Sequence, residues 1–185
     1  MTAHRFFGYE TLRGRWQKPE AVLADIGLTS GSTFMDIGCG DGFFAIPAAE
    51  IVGKRGKVYA LDVNSWAIDR LKKKAMQEGL ANLSVKVGVA EETVFCEACA
   101  DFVFYSAVLH DFRDPAKVLV NAKRMLKPTG KLVDLDWKKK RMAFGPPVNI
   151  RFSEEKATDL MKSVGFKIEI VKEAGPYHYL IIARP

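Results

Sequence analysis

The stretch FMDIGCGDGFF, residues 34–44, sets three glycines into five positions between two apolar runs. Its first half has the length and apolarity of a short strand buried on both faces. Gly38, Gly40 and Gly42 then form a bend in which the missing Cβ permits unusual dihedrals and lets backbone N–H groups approach a ligand closely. A strand, a glycine bend and a following helix make the opening unit of an open α/β sheet, whose ligands bind beyond the carboxyl ends of the strands.

Outward from this unit, strand-like and helix-like segments alternate. Strands are expected at 33–38, 57–63, 83–88, 101–108, 130–137, 167–173 and 177–184, and helices at 18–28, 42–52, 65–79, 114–127 and 153–165. Asn64 or Ser65, Asp114-Pro115 and Ser153 supply helix-start signals, and Pro128 marks a stop. Pro47 is the discordant residue, because proline inside a helix removes a donor and crowds the preceding turn. Helical crossovers force parallel strand pairing, whereas Ala174-Gly175-Pro176 is short enough only for an antiparallel hairpin. The expected fold is α/β: a doubly wound, seven-stranded, mostly parallel sheet with one antiparallel C-terminal strand.

With 185 residues the chain reads as a single domain, 1–185, in which residues 1–30 form an N-terminal helical lid region. No apolar run is long enough for a membrane span and MTAHRFFGYE has no secretory apolar core, so a cytoplasmic protein is expected. Cys39, Cys96 and Cys99 are too few for a disulfide framework. Cys96 and Cys99 form a CxxC without a second ligand pair, and they read as incidental thiols rather than a metal or redox site; no metal is expected. A net charge of +6 permits nucleic acid as a partner without requiring it, since RLKKK (70–74) and KKKR (138–141) also suit a solvated helix face and an exposed loop.

The bend is not a dinucleotide fingerprint. Counted from Gly38, the third glycine of GxGxxG is replaced by Phe43, and no GK[ST] follows to make a phosphate loop. Asp36 stands two residues before the first glycine, where a carboxylate repels a pyrophosphate and attracts an ammonium group. Asp62 closes the second strand, where a carboxylate accepts hydrogen bonds from ribose hydroxyls. Together these residues point to a cationic, phosphate-free nucleoside.

With WQKPEAVLADIGL, FMDIGCGDG, YALDVN, DFVFYSAVLHDF, RMLKPTGKLVDLDW and the closing GF and PYHY, the chain resembles the class I S-adenosylmethionine-dependent methyltransferases. The likeness is to the small-molecule, type 11 (UbiE-like) branch with its hhDhGCGxG motif, and it covers nearly the whole length. The resemblance implies a Rossmann-like methyltransferase fold and S-adenosyl-L-methionine as cofactor. It implies that Asp36, Gly38, Cys39, Gly40 and Gly42 line the methionine end and that Asp62 holds the ribose. It further implies that Val63 packs on the adenine, that Ala90 or Glu91 recognises its edge, and that Ser106 borders the site.

A sulfonium methyl is already electrophilic, so catalysis is chiefly alignment and exclusion of water, with a base where the acceptor atom carries a proton. His110 is the candidate base, set against a role in stabilising the loop beside Asp111; Asp136 is a second candidate, set against a turn role. Phe6, Phe7, Tyr9 and Trp16 are expected in a lid or in core packing, with Arg13 or Arg15 pairing the cofactor carboxylate. The basic connection 138–152 is the longest in the chain and is expected to help cover the acceptor. The leading expectation is methyl transfer to a small molecule. An RNA methyltransferase is less favoured because YSAV occupies the place of an Asn/Asp-Pro-Pro-aromatic motif, and a non-catalytic cofactor-binding subunit is the third reading. Neither the acceptor atom nor the oligomeric state is written in the pattern.

Overall fold

A computed structural model describes residues 17–185. Phe6, Phe7, Tyr9, Arg13, Arg15 and Trp16, with the first part of the expected lid region, lie outside the described residues. Strand β1 (Thr33–Ile37) runs inside the sheet, parallel to β2 (Lys57–Asp62) on one side and to β4 (Ala100–Ser106) on the other. With β3 (Leu83–Val87), β5 (Leu126–Trp137), β6 (Lys167–Ala174) and β7 (His178–Arg184), the sheet has seven strands in the order β3-β2-β1-β4-β5-β7-β6. β7 pairs antiparallel with both β5 and β6, as the short hairpin requires. Because β2 and β3 lie on one side of β1 and the later strands on the other, the chain changes direction between β1 and β4, and a crevice opens there at the carboxyl edge.

Side-chain alternation sends two apolar sets to opposite faces. Phe34, Val58, Phe104, Val133 and Ile182 pack under α1 (Pro19–Asp25), α2 (Ala45–Val52) and α3 (Ser65–Gln77) through Leu23, Ala48, Val52, Ile68 and Leu71. Met35, Ile37, Val103, Leu132 and Ile181 pack under α4 (Pro115–Met125) and α5 (Glu154–Ser163) through Val118, Leu119, Ala157 and Met161. Asn64, Asp114 and Ser153 cap α3, α4 and α5 with their side chains.

Three local expectations change. Helix α2 begins at Ala45 rather than near residue 42, so Pro47 falls in the first turn, where its missing N–H would have had no intrahelical partner. Helix α4 ends at Met125, and β5 starts at once with Leu126 opposite Ala100; a register irregularity between Ala100 and Phe102 absorbs the Pro128-Thr129-Gly130 segment. Cys96 and Cys99 are joined as a disulfide instead of standing as separate thiols. Ala98 adopts φ 47, and the Ala98 and Cys99 N–H groups donate to the carbonyls of Arg124 and Met125, a turn that brings the cysteine Cα atoms within 6.0 Å.

The C-terminus of α2 depends on a residue from outside the helix. Asn82 Nδ2 donates to Ala49 O at 2.8 Å and to Gly53 O at 2.9 Å, adding a second donor to carbonyls that already accept from the Gly53 and Gly56 N–H groups. Asn82→Ala is therefore expected to cost about 1–3 kcal/mol, read as a lower urea midpoint with an unchanged m-value.

Candidate active site

The glycine turn is fastened to β2. Gly38 and Cys39 both donate their N–H groups to Leu61 O, at 2.7 and 3.0 Å, and Gly40 N–H donates to Asp62 Oδ2 at 2.8 Å. Asp62 Oδ1 accepts from Asn64 N–H at 2.8 Å, and a carboxylate with about four lone-pair sites keeps acceptor capacity beyond these two bonds. The sequence reading attributes the missing Cβ atoms to ligand approach, and at two positions the space is used by the protein itself. A Cβ on Gly38, at φ +81, would lie 2.6 Å from Val108 Cγ2, and one on Gly42, at φ +97, would lie 2.4 Å from Leu71 Cδ1. The first glycine thus admits the loop after β4, and the third admits α3.

The turn lies in a negative field. Asp36 is buried in the strand, and the Cys39 thiol is held protonated, first by burial and then by the charges of Asp36 and Asp62. Asp41 is engaged elsewhere, 2.9 Å from Lys74 Nζ and 3.7 Å from Arg70 Nε. Val63, directly after Asp62, is 68 % exposed, as a surface meant to receive a planar group would be. Ser106 is buried at the end of β4, and Ala107 after it turns through φ 56, a left-handed conformation that is costly for a residue with a Cβ.

Between β3 and β4, Ala90 is buried in a single 3-10 turn, Ala90–Glu92. Its carbonyl and that of Glu91 accept from Asn121 Nδ2, at 3.0 and 2.9 Å. Glu91 Oε1 accepts from the backbone N–H groups of Arg113 and Asp114, at 3.0 and 3.2 Å, so one carboxylate oxygen serves the loop before α4.

Across the crevice, His110 and Asp136 come together. His110 sits in the 3-10 turn Leu109–Asp111 that follows β4, Asp136 near the end of β5, and Nδ1 lies 2.9 Å from Asp136 Oδ2 with both side chains 1 % exposed. Asp136 Oδ1 also accepts from Trp137 N–H at 2.7 Å. With the carboxylate ionised, Nδ1–H is the donor, and the basic lone pair is left on Nε2. Nε2 has no hydrogen bond, its nearest charged neighbour being Asp111 Oδ1 at 3.6 Å. Burial by itself would lower the imidazole pKa; the hydrogen bond and charge of Asp136, aided by Asp111 and opposed by Arg151, raise it above the ordinary value.

Three supporting residues escaped the sequence reading. Asp134 lies two positions before Asp136 on the same face of β5, fully buried, with neither oxygen hydrogen-bonded. The alternation VDLDW on a buried strand was the available signal for it. Val108 and Arg151 left no such signal. The Arg151 guanidinium donates to the carbonyls of Pro146, Lys138, Lys140 and Phe144 at 2.7–3.2 Å and lies 5.3 Å from the Trp137 ring. The 138–152 connection is thereby wound around a buried cation at the end of β5. Lys138 is spent on Glu173 and Gly175 O, so the exposed charges of that connection are Lys139, Lys140 and Arg141. Among the described residues no group of three metal-ligating side chains converges, and no helix is long and apolar enough to cross a membrane.

Strand order, an acid-flanked glycine turn and a second carboxylate ending β2 define the class I S-adenosylmethionine-dependent methyltransferase architecture. The chain belongs to the methyltransferase-domain family, whose model matches residues 28–171. Among solved structures, an S-adenosylmethionine-dependent methyltransferase from Aquifex aeolicus is 32 % identical with a TM-score of 0.88, the match covering 92 % of this chain and 91 % of that one. Among curated proteins, the ubiquinone/menaquinone biosynthesis C-methyltransferase UbiE of Francisella philomiragia is 31 % identical over 125 residues, 67 % of this chain and 49 % of the relative. Aklanonic acid methyltransferase DauC of Streptomyces sp. is 39 % identical over 77 residues, 42 % of this chain and 35 % of the relative. In the first of these curated matches the chain spans about half the relative's length, and in the second about a third.

Asp134 yields a pH-dependent prediction. Burial first, and then the charge of Asp136, raise its pKa well above the ordinary carboxylate value. A group that binds its proton more tightly when folded contributes fully below its unfolded pKa of about 4, and that contribution is lost as pH rises toward the folded pKa. Asp134→Asn, which removes the ionisation and keeps the shape, is expected to raise the melting temperature by at least ~2 °C at pH 8. The gain should shrink toward zero near pH 4, as differential scanning calorimetry across pH would record.

Proposed function

We propose that the protein is an S-adenosyl-L-methionine-dependent methyltransferase acting on a small-molecule acceptor, with His110 as general base and Asp136 as the group that orients it. The observation that carries this reading is the buried His110–Asp136 contact of 2.9 Å, set across the β1/β4 crevice from the acid-flanked glycine turn. The residues fit the cofactor: Asp41 engages the two cations at the turn, Lys74 and Arg70, while Asp36 and Asp62 bring negative charge to it, which suits an ammonium and a sulfonium and disfavours a pyrophosphate. Asp36 and the Gly38–Gly42 backbone would hold the methionine end, Asp62 the ribose hydroxyls, and Val63 with the Ala90 backbone the adenine. When bound, the cofactor supplies an electrophilic methyl carbon.

The chain's own work is then positional and protolytic. Neutral His110 takes the acceptor's proton on Nε2 while Asp136 fixes Nδ1–H and steadies the imidazolium that forms. The acceptor reaches Nε2 past Asp111, whose carboxylate lies 3.6 Å from that nitrogen and whose side chain is 56 % exposed. The relatives' names refer to quinone biosynthesis and to aklanonic acid, and a small-molecule acceptor is what they share in support of this reading.

Calorimetric titration with S-adenosylhomocysteine is expected to give micromolar binding and a loss of tenfold or more, ~1.4 kcal/mol, in Asp62→Ala; unchanged affinity would refute the ribose role. Incubation with methyl-labelled cofactor against metabolite and RNA pools is expected to place label in small molecules. Label confined to RNase-sensitive material would replace the acceptor class.

Once an acceptor is in hand, His110→Ala is expected to lower kcat about 10²-fold or more. The acidic limb of the rate profile should lie above pH ~6.5 in the wild type, because His110 acts only when neutral and its pKa is raised. Asp136→Asn removes the main raising influence and should move that limb down.

A further inference from the structure

We infer that Glu91 is a positioning residue for His110: its carboxylate ties the loop that carries the base to the β3–β4 connection, instead of reading the adenine edge. The role presupposes His110 as the base proposed above, and it stands on four contacts that converge on one short segment. Glu91 Oε1 accepts from the N–H groups of Arg113 and Asp114, which follow the Leu109–Asp111 turn and precede α4. Asn121, buried on α4, returns two bonds from Nδ2 to the carbonyls of Ala90 and Glu91. Side chain to backbone in both directions, the two segments are laced together at the start of α4, where a carboxylate is also favoured by the helix dipole.

The other end of the same loop is held as firmly. Ala107 N–H donates to Leu135 O at 2.8 Å, and Val108 fills the space that a Cβ on Gly38 would need. His110 is thus suspended between an anchor on the glycine turn and β5 and an anchor on Glu91. Ala107 at φ 56 holds its strained conformation only while both ends are fixed. Cutting the Glu91 anchor leaves the near end strained and the far end untied, so the imidazole is expected to lose its alignment with Asp136.

The first measurement, a histidine titration, needs neither cofactor nor acceptor. The chain has three histidines, and His110 is assigned in the Cε1–H spectrum as the resonance missing from His110→Asn. In Glu91→Ala, the His110 titration midpoint is expected to fall by at least half a unit toward the ordinary value of ~6.5, with broadening of the resonance. Glu91→Gln keeps an acceptor oxygen for both N–H groups and should restore the wild-type titration. S-adenosylhomocysteine affinity should stay within threefold in both variants.

A wild-type titration in Glu91→Ala would overturn the assignment. So would a tenfold loss of S-adenosylhomocysteine affinity in both variants without movement of His110, which would return Glu91 to the adenine site. Should Glu91→Ala fail to fold, amide exchange in the wild-type protein decides: the Arg113 and Asp114 amides should exchange at least tenfold more slowly than an unstructured chain, and free exchange would overturn the anchor. Absence of S-adenosylhomocysteine binding in the wild type would sink the cofactor reading and leave the His110 titration interpretable on its own.

Discussion

The steric fit of Val108 against Gly38 is the contact on which the arrangement of the carboxyl edge depends. Parallel pairing of β1 with β4 brings the chain segments leaving both strands to the same place, and two such turns cannot occupy it together if either carries bulk. Removing the side chain at residue 38 resolves the conflict. The loop after β4 then lies directly on the glycine turn, and His110 follows two residues later. The proposed cofactor turn and the proposed base are coupled through this packing, because the turn is also the floor beneath the loop that carries His110.

A second constraint is electrostatic. The carboxyl edge concentrates acids: Asp36 and Asp62 at the turn, Asp134 and Asp136 on β5, Asp111 beside His110. A +6 protein thus carries a cluster of acids at its carboxyl edge, and its net charge says little about that edge. Each acid is handled differently. Asp62 spends one lone pair on Gly40 and another on Asn64, Asp136 is bonded by His110 and the Trp137 N–H, and Asp134 is left without a hydrogen bond in the core. A carboxyl retained at such a cost next to a His–Asp pair is the pattern in which perturbed groups gather at functional sites.

The 138–152 connection is a third element, and its order comes from within. Arg151 donates to four carbonyls, of which that of Lys138 also accepts from Lys140 N–H, and its stacking on Trp137 ties the loop to β5. What the loop then exposes is Lys139, Lys140 and Arg141, just beyond the end of β5.

Local signals in the chain were enough for much of this. Alternation of strand and helix periods, three side-chain caps and a three-residue hairpin link specify a mostly parallel seven-stranded sheet, since crossover length alone separates parallel from antiparallel pairing. Asp36, the glycines, Asp62 and His110 were legible because residue type and position at a strand end carry their chemistry. Tertiary structure decided the rest, and in each case the deciding partner was distant in sequence. Gly38 is set by Val108, the His110 ring by Asp136 twenty-six positions away, and Glu91 by a loop twenty-two positions on. A sequence records what a side chain is able to do; which of those capacities is used depends on the neighbour that folding delivers to within about 3 Å.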